Sequence, residues 1–237
     1  MTCCRGKFVS GKGLADISTL IQAIETADSK AAIVVAVRNL AAAKDPAAIS
    51  TLINVLGYNN PGAAVAAVDG LAALGRIAVP ALLEELDGYN YGARAWAIRA
   101  LALIGDPRAL PVLLDTALGD FALSVRRAAA KGIGTINWSQ LPEEQVAQAQ
   151  AQVMEVLQQT TTDPEWVVRY AAVAGLHALA LKAVDSSSGA VISQHLQQVI
   201  SRDQTLTVQA RAQMALDALS GDLDELEPSP SSLTQHS

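Results

Sequence analysis

Apolar residues recur along most of this chain at intervals of three and four residues, the spacing of one helix face. In the first two segments these positions are Leu14, Ile17, Leu20, Ile21, Ile24, Ile33, Val34, Val37 and Leu40. No segment combines apolar/polar alternation with an enrichment in β-branched residues, which a half-buried strand would show. The pattern therefore predicts a series of short amphipathic helices and no β-sheet.

Proline and glycine divide the apolar pattern into helices. The pairs Asp45–Pro46, Asp106–Pro107 and Asp163–Pro164 stop one helix and start the next, because proline fits the first helical turn. Gly57 and Gly88 are expected to end helices. The predicted helices include 29–43, 47–56, 61–74 and 142–159, and residues 185–189 are predicted to form a loop.

One sequence frame returns about every 30 to 45 residues, a period typical of stacked helical hairpins. Its copies are Tyr58–Val65, Tyr89–Leu101, Val125–Ile133, Val168–Leu176 and, more weakly, Val208–Leu216. A single hairpin cannot bury its apolar face alone, so its neighbours must stack on it. We predict an all-α solenoid of about six hairpins over residues 14–219, with the second helices lining a concave face. Residues 1–13 are expected to be a flexible arm, and residues 220–237 a disordered acidic and Pro/Ser-rich tail.

The composition limits which residue types can form the core and which classes of partner can bind. Apolar residues make up 51% of the 237-residue chain and aromatic residues only 4%, so the core must consist mainly of Ala, Leu, Val and Ile. A net charge of −6 gives no general attraction to nucleic acid. We found no unbroken apolar run of the roughly 18 residues that span a bilayer, so we expect no membrane insertion. Cys3 and Cys4 are adjacent, and we expect no metal site because no His, Cys or carboxylate group has ligand spacing.

Aromatic and guanidinium side chains are the distinctive candidate chemistry. Trp96 and Arg99 are three residues apart and share a helix face. Aromatic rings offer flat contact, and arginine binds carboxylates in a bidentate manner, so a planar ligand with carboxylates would suit them. The candidate ligand-binding residues are Tyr58, Tyr89, Tyr91, Arg94, Trp96, Arg99, Arg127, Trp138, Trp166, Arg169 and Tyr170.

A structural role competes with this interpretation for several of these residues. Arg94, Arg126 and Arg169 occupy the same repeat position, and Asp120 and Asp163 each precede an arginine by six residues. Such pairs often tie adjacent repeats together. The tryptophans Trp96 and Trp166 could equally be core or partner-interface anchors, and a packed role is preferred to a catalytic one for His177. Arg99, Arg127 and Tyr170 fall outside the Asp/Arg pattern and are favoured as ligand-binding residues.

Two strings make the chain resemble a known family. They are Asn90-Tyr91-Gly92-Ala93-Arg94-Ala95-Trp96 and Asp120-Phe121-Ala122-Leu123-Ser124-Val125-Arg126-Arg127. They are similar to segments of the HEAT-like repeat subunits of the E/F-type phycobilin lyases, above all the F subunits. The resemblance covers about residues 14–182 and implies a HEAT/armadillo-like fold.

The resemblance implies a function that spacing alone does not give. Family members form a heterodimer with an E-type subunit. This heterodimer binds a linear tetrapyrrole such as phycocyanobilin as its substrate. The complex attaches this bilin through a thioether to a cysteine of a phycocyanin α subunit, or removes it in the reverse reaction. The resemblance also implies the cytoplasm of a cyanobacterium or an equivalent plastid compartment. The arginines would bind the propionates, Trp and Tyr would hold the conjugated plane, and Asp69 or Asp87 could accept hydrogen bonds from pyrrole nitrogens.

One motif of related subunits is absent. F-type subunits that also isomerise the bilin carry an Asn-His-Cys-Gln-Gly-Asn string, which does not occur in this sequence. Attachment without isomerisation is therefore favoured. A non-catalytic protein-binding scaffold and a bilin carrier without ligation activity remain the alternatives.

Overall fold

The computed structural model describes residues 16–86 and 91–224, which contain α-helices and short 3-10 turns but no strand. The helices are α1 Ile17–Glu25, α2 Lys30–Ala43, α3 Ile49–Leu56, α4 Pro61–Leu74, α5 Val79–Glu85, α6 Tyr91–Ile104, α7 Leu110–Gly119, α8 Leu123–Ile133, α9 Glu143–Thr160, α10 Trp166–Ala180, α11 Ser186–Arg202 and α12 Leu206–Asp224. The all-α prediction is thus confirmed. The chain divides into two compact units after Ala78.

The N-terminal unit consists of two helical hairpins, α1–α2 and α3–α4, with α2 packed against α4. Its fully buried leucines include Leu40, Leu52, Leu56 and Leu71. Asn60 ties the two second helices together. Its side-chain oxygen accepts a hydrogen bond from the Ala63 amide at 3.2 Å, and its amide nitrogen donates to the Lys30 carbonyl at 2.9 Å. The cap of α4 is therefore also a link between hairpins.

The C-terminal unit contains four more hairpins, α5–α6, α7–α8, α9–α10 and α11–α12. The second helices α6, α8, α10 and α12 pack side by side in that order, and each first helix packs against its own partner. The core between the layers is aliphatic, as composition predicted, and includes Leu101, Leu113, Ile133, Leu157 and Leu176. Asp106 starts the turn before α7 by accepting a hydrogen bond from the Arg108 amide at 2.9 Å.

Small residues let the second helices approach closely. A Cβ atom on Gly132 of α8 would overlap the Cβ of Ala102 on α6. A Cβ atom on Gly175 of α10 would lie 2.5 Å from the carbonyl oxygen of Ala130 on α8. Because both neighbours include backbone or Cβ atoms, no rotamer change could relieve these contacts. The spacing of α6, α8 and α10 therefore depends on two glycines.

Two boundaries differ from the sequence-based expectations. Residues 185–189 are not a loop, because α11 begins at Ser186 after Asp185 accepts a hydrogen bond from the Ser187 amide at 3.0 Å. Polar residues of this kind are common in both loops and helix caps. Helix α12 continues to Asp224, so the first residues of the expected tail are helical. The expected arm 1–13 and the rest of that tail lie outside the described residues.

The expectation about apolar length also needs correction. By length and composition only, residues Pro61–Glu85 are long and apolar enough to cross a membrane. Of an apolar 18-residue window within this stretch, 44% is buried. An unbroken apolar run was the wrong criterion, since isolated polar residues such as Asp69 interrupt the run without lowering its average much. Gly75, at a φ of 67°, ends α4 within this stretch.

We predict that Gly175→Ala lowers the free energy of unfolding by about 1–3 kcal/mol, because the added methyl group forces α8 and α10 apart. The measurement is urea-induced unfolding followed by circular dichroism. Gly189→Ala is the matched control, since a Cβ on Gly189 in α11 meets nothing within 4 Å. That change should be neutral or stabilise by about 0.5–1 kcal/mol. Equal effects of the two substitutions would contradict the close approach.

Candidate functional site

A ladder of ion pairs runs along one end of the second helices in the C-terminal unit. Its rungs join Arg94 to Asp120 at 2.8 Å, Arg126 to Asp163 at 2.7 Å and Arg169 to Asp203 at 2.7 Å. Each arginine lies on a second helix, and each aspartate lies in the turn before the next second helix. The predicted role of these arginines in tying repeats together therefore fits the geometry.

The partners within the ladder differ from the simple sequence pairing. Asp120 and Asp163, six residues before Arg126 and Arg169, offer them only backbone carbonyls, at 2.8 and 3.0 Å. The carboxylate of each aspartate instead binds the arginine of the preceding hairpin. Arg126 and Asp163 form two parallel hydrogen bonds of 2.7 and 3.1 Å, a bidentate geometry that strengthens the rung.

In each rung the aspartate carboxylate compensates the charge of the arginine guanidinium. The hydrogen bond from Arg169 lowers the pKa of the Asp203 carboxyl group below its ordinary value. The same hydrogen bond, which Asp203 accepts, raises the pKa of Arg169, and the one that Asp163 accepts raises the pKa of Arg126. Arg94 and Arg169, which the sequence offered as ligand-binding candidates, are therefore neutralised by carboxylates. The ion pairs favour a structural role for them over a ligand-binding one.

A groove of about 730 Å³ lies on the exposed face of the second helices, within the range of about 300–1,000 Å³ typical of ligand sites. The residues that line it come from α6, α8, the turn after α8, α10 and α12: Arg99, Ala102, Leu103, Arg127, Ala128, Lys131, Gly132, Thr135, Val167, Tyr170, Ala171, Ala174 and Arg211. The floor consists of small residues, namely Ala102, Ala128, Gly132, Ala171 and Ala174. Of these, Ala102 and Gly132 also form the close contact between α6 and α8. The groove is thus a consequence of the helix spacing.

The groove carries uncompensated positive charge in a chain whose net charge is −6. Its cations are Arg99, Arg127, Lys131 and Arg211, and no acidic residue of the described part of the chain lines it. Among the described residues, none of these four side chains forms an ion pair with a carboxylate. An anion bound there would gain attraction without displacing an internal partner. The arrangement suits a ligand that is largely apolar and carries carboxylates.

Arg99 has an aromatic neighbour. Its guanidinium carbon lies 5.6 Å from the centre of the Trp96 ring, within the range of a cation–π interaction. The predicted sharing of one helix face by these two residues is confirmed. Trp96 does not line the groove, so it supports Arg99 from the side.

The other aromatic candidates are spread over different environments. Tyr170 lines the groove and is 37% exposed. Trp138 is buried at the turn between α8 and α9 and does not line the groove. Trp166 is exposed at the start of α10 but is not a groove residue. Tyr58 is exposed in the N-terminal unit, whereas Tyr89 and the side chain of Tyr91 lie outside the described residues.

Two groove cations were missed from the sequence. Lys131 follows Arg127 by one helical turn, so the i, i+4 spacing could have placed both on one face. Arg211 belongs to the weakest copy of the repeat, where Gln209 replaces the ladder arginine, and offered less signal. Asp69 is exposed in the N-terminal unit and is not among the groove-lining residues, and Asp87 lies outside the described residues.

The two described histidines, His177 and His195, lie beside polar side chains. No group of three or more His, Cys, Asp or Glu residues that could hold a metal occurs in residues 16–86 and 91–224. His195 is half-buried beside the Thr161 hydroxyl at 2.9 Å, and burial lowers its pKa. His177 lies 3.2 Å from a guanidinium nitrogen of Arg211, which agrees with the packed role expected for it.

Known proteins share this sequence and fold. Residues 79–176 match the family of HEAT repeats. The phycocyanin alpha phycocyanobilin lyase CpcF of Synechocystis sp. is 60% identical over 71% of this chain and 78% of its own length. The phycocyanobilin lyase subunit beta of Pseudanabaena tenuis is 50% identical over 89% of this chain and 76% of its own length.

A solved structure extends the comparison to three dimensions. In the complex of CpcE and CpcF of phycocyanin lyase from Nostoc sp. PCC7120, one chain is 47% identical and superposes with a TM-score of 0.68. The match covers 72% of this chain and 99% of that one. The stacked hairpins and their match define an all-α protein of the HEAT-repeat class. At the identities and coverage found, the chain belongs to the family of CpcF-type phycocyanobilin lyase β subunits, and the resemblance inferred from the two strings is confirmed.

We predict that Asp203→Asn lowers the free energy of unfolding by about 3 kcal/mol at pH 7, because it leaves the mostly buried Arg169 without its counter-charge. The folded-state pKa of Asp203 is depressed, so this stabilisation is complete above the unfolded pKa of about 4 and is lost as the pH falls below it. The gap between wild type and variant should therefore narrow below about pH 4. Urea titrations at several pH values measure it.

The control for this experiment is Asp217→Asn. Asp217 is exposed and accepts a hydrogen bond only from Gln213 of its own helix. Its substitution should change stability little at any pH. A gap for Asp203→Asn that stays constant down to pH 3 would contradict the assigned ion pair.

Proposed function

We propose that this chain is one subunit of a heterodimeric phycobilin lyase that attaches phycocyanobilin through a thioether to a cysteine of the phycocyanin α subunit. The main observation in support is the close similarity of this chain to proteins named as phycocyanobilin lyase subunits, one of them at 60% identity. The chain similar to it in the CpcE–CpcF complex supports an E-type partner subunit. The setting we propose is the compartment in which phycobilisomes are assembled, the cytoplasm in a cyanobacterium.

We further propose that the cationic groove holds the bilin. A linear tetrapyrrole is a long conjugated plane with two propionates, which requires apolar contact together with separate positive charges. Tyr170, Val167 and the alanines of the floor supply the contact, while Arg99, Arg127, Lys131 and Arg211 supply the charges. The ladder arginines are unsuited to this task because their carboxylate partners already hold them.

This chain's part in the reaction is to hold and shield the substrate. The acceptor protein supplies the cysteine thiol, which adds across a carbon–carbon double bond of the bilin. The sulfur–carbon bond forms as the S–H bond and the π bond break, and the proton goes to the neighbouring carbon. Fixing the bilin in one orientation turns attack by the thiol into a reaction of neighbouring groups, which lowers its entropic barrier. The small-residue floor lets the plane lie close to the helices, where less of its surface meets water.

The decisive experiment mixes the purified full-length chain with an E-type partner, phycocyanobilin and apo-phycocyanin α subunit. A covalent adduct that fluoresces with zinc and requires this chain supports the proposal. Partner binding with no effect of bilin would favour the scaffold alternative, and bilin binding without transfer would favour the carrier. Either of the last two results would overturn lyase activity for this chain.

We predict that Arg127→Ala combined with Lys131→Ala lowers the rate of bilin transfer at limiting bilin by about tenfold or more, since two charge-assisted contacts are lost. The thermal midpoint should hardly change, because both side chains are exposed and unpaired with carboxylates. Initial rates of adduct formation and a melting curve measure the two quantities.

The matched control is Arg38→Ala, which removes an exposed arginine from α2 of the N-terminal unit. It should leave the transfer rate unchanged. Equal losses for the control and for the groove variant would indicate a general charge effect and would remove the groove from the proposal.

A further inference from the structure

Arg211 differs from the other groove cations in having a neutral hydrogen-bond partner. Its Nη2 atom donates to the Nδ1 atom of His177 at 3.2 Å, and the contact is partly buried. Arg99, Arg127 and Lys131 are exposed, whereas Arg211 is half-buried. A half-buried guanidinium that keeps its charge uncompensated while one edge is fixed by a neutral group is poised to bind an anion with its other N–H donors.

The contact defines the protonation state of the imidazole. Arginine has no acceptor atom, so Nδ1 of His177 must carry a lone pair and the ring is neutral with its proton on Nε2. The hydrogen bond therefore orients Arg211 without neutralising it. This is the opposite of the ladder, where an aspartate both orients each arginine and cancels its charge.

The position of Arg211 gives the groove two charged sides. It lies on α12, whereas Arg127 and Lys131 lie on α8, and α10 packs between these helices. Packed helices are about 8–10 Å apart, so the two sets of cations approach from opposite flanks of α10. Between them α10 presents Val167, Tyr170, Ala171 and Ala174. A dicarboxylate whose apolar body lies over α10 can meet a cation on each side.

We propose that His177 is a positioning residue, which holds Arg211 so that its guanidinium binds one of the two substrate carboxylates while the α6 and α8 cations bind the other. The inference rests on the proposed bilin-binding function of the groove. His177 does not touch the substrate. Its contribution is to restrict in advance a side chain that would otherwise lose its rotamer freedom on binding.

The test measures binding by the full chain in complex with its E-type partner, using phycocyanobilin and its dimethyl ester as probes. Absorbance titration gives the Kd of each probe. His177→Ala should raise the Kd of phycocyanobilin about tenfold, as expected for a charge-assisted contact that has lost its preorganisation. The Kd of the ester should change little, because it has no carboxylate for Arg211 to bind.

A conservative variant separates positioning from packing. The Oδ1 atom of an asparagine can occupy the place of Nδ1 and accept the same hydrogen bond, so His177→Asn should restore most of the affinity for the free acid. In the Arg211→Ala background, His177→Ala should cause no further loss. The matched control is His195→Ala, which removes a half-buried histidine of α11 that does not line the groove.

The outcomes distinguish this inference from the proposed function. Equal weakening of both probes by His177→Ala, or no weakening, would overturn the positioning role while wild-type transfer still stands. Additive losses for His177→Ala and Arg211→Ala would also overturn it. Absence of transfer by the wild-type complex would instead overturn the proposed function, whatever the binding data show.

Discussion

The arginine–aspartate rung between consecutive hairpins is the interaction on which the C-terminal unit depends. Arg126 and Arg169 each bridge two hairpins, since each donates to the carbonyl of its own turn and to the carboxylate of the next. The same aspartate also accepts the amide two residues later, as Asp163 does from Glu165 at 2.8 Å. One pair of side chains therefore fixes a turn, a helix start and the spacing to the neighbouring helix.

This constraint also sorts the basic residues by task. The arginines in the rungs are held at the helix starts with their charge cancelled, whereas the groove residues Arg127 and Lys131 project from the exposed face of α8. Arg126 and Arg127 are adjacent in sequence, yet they point about 100° apart on the helix and so serve different purposes. The close packing of Gly132 against Ala102 sets the floor on which that face opens.

Much of the fold follows from the sequence, because helical periodicity, Asp–Pro starts and repeat spacing are local signals. The groove residues Arg99, Arg127 and Tyr170 could be favoured for the same reason, since they break the repeat pattern. Trp138 could not be assigned, because burial depends on which hairpins meet. Arg211 was missed since its significance comes from His177 on a neighbouring helix, a contact no single-helix pattern contains.

Gln209 lies on α12, the last helix within the described residues. It occupies the place of the rung arginines and donates to the carbonyl of Asp203 at 2.6 Å, as Arg169 does to Asp163. The amide of Gln209 donates the hydrogen bond that this carbonyl accepts but carries no charge, so it needs no carboxylate from a further hairpin. A single uncharged side chain thus fixes this turn without requiring a counter-charge from a further hairpin.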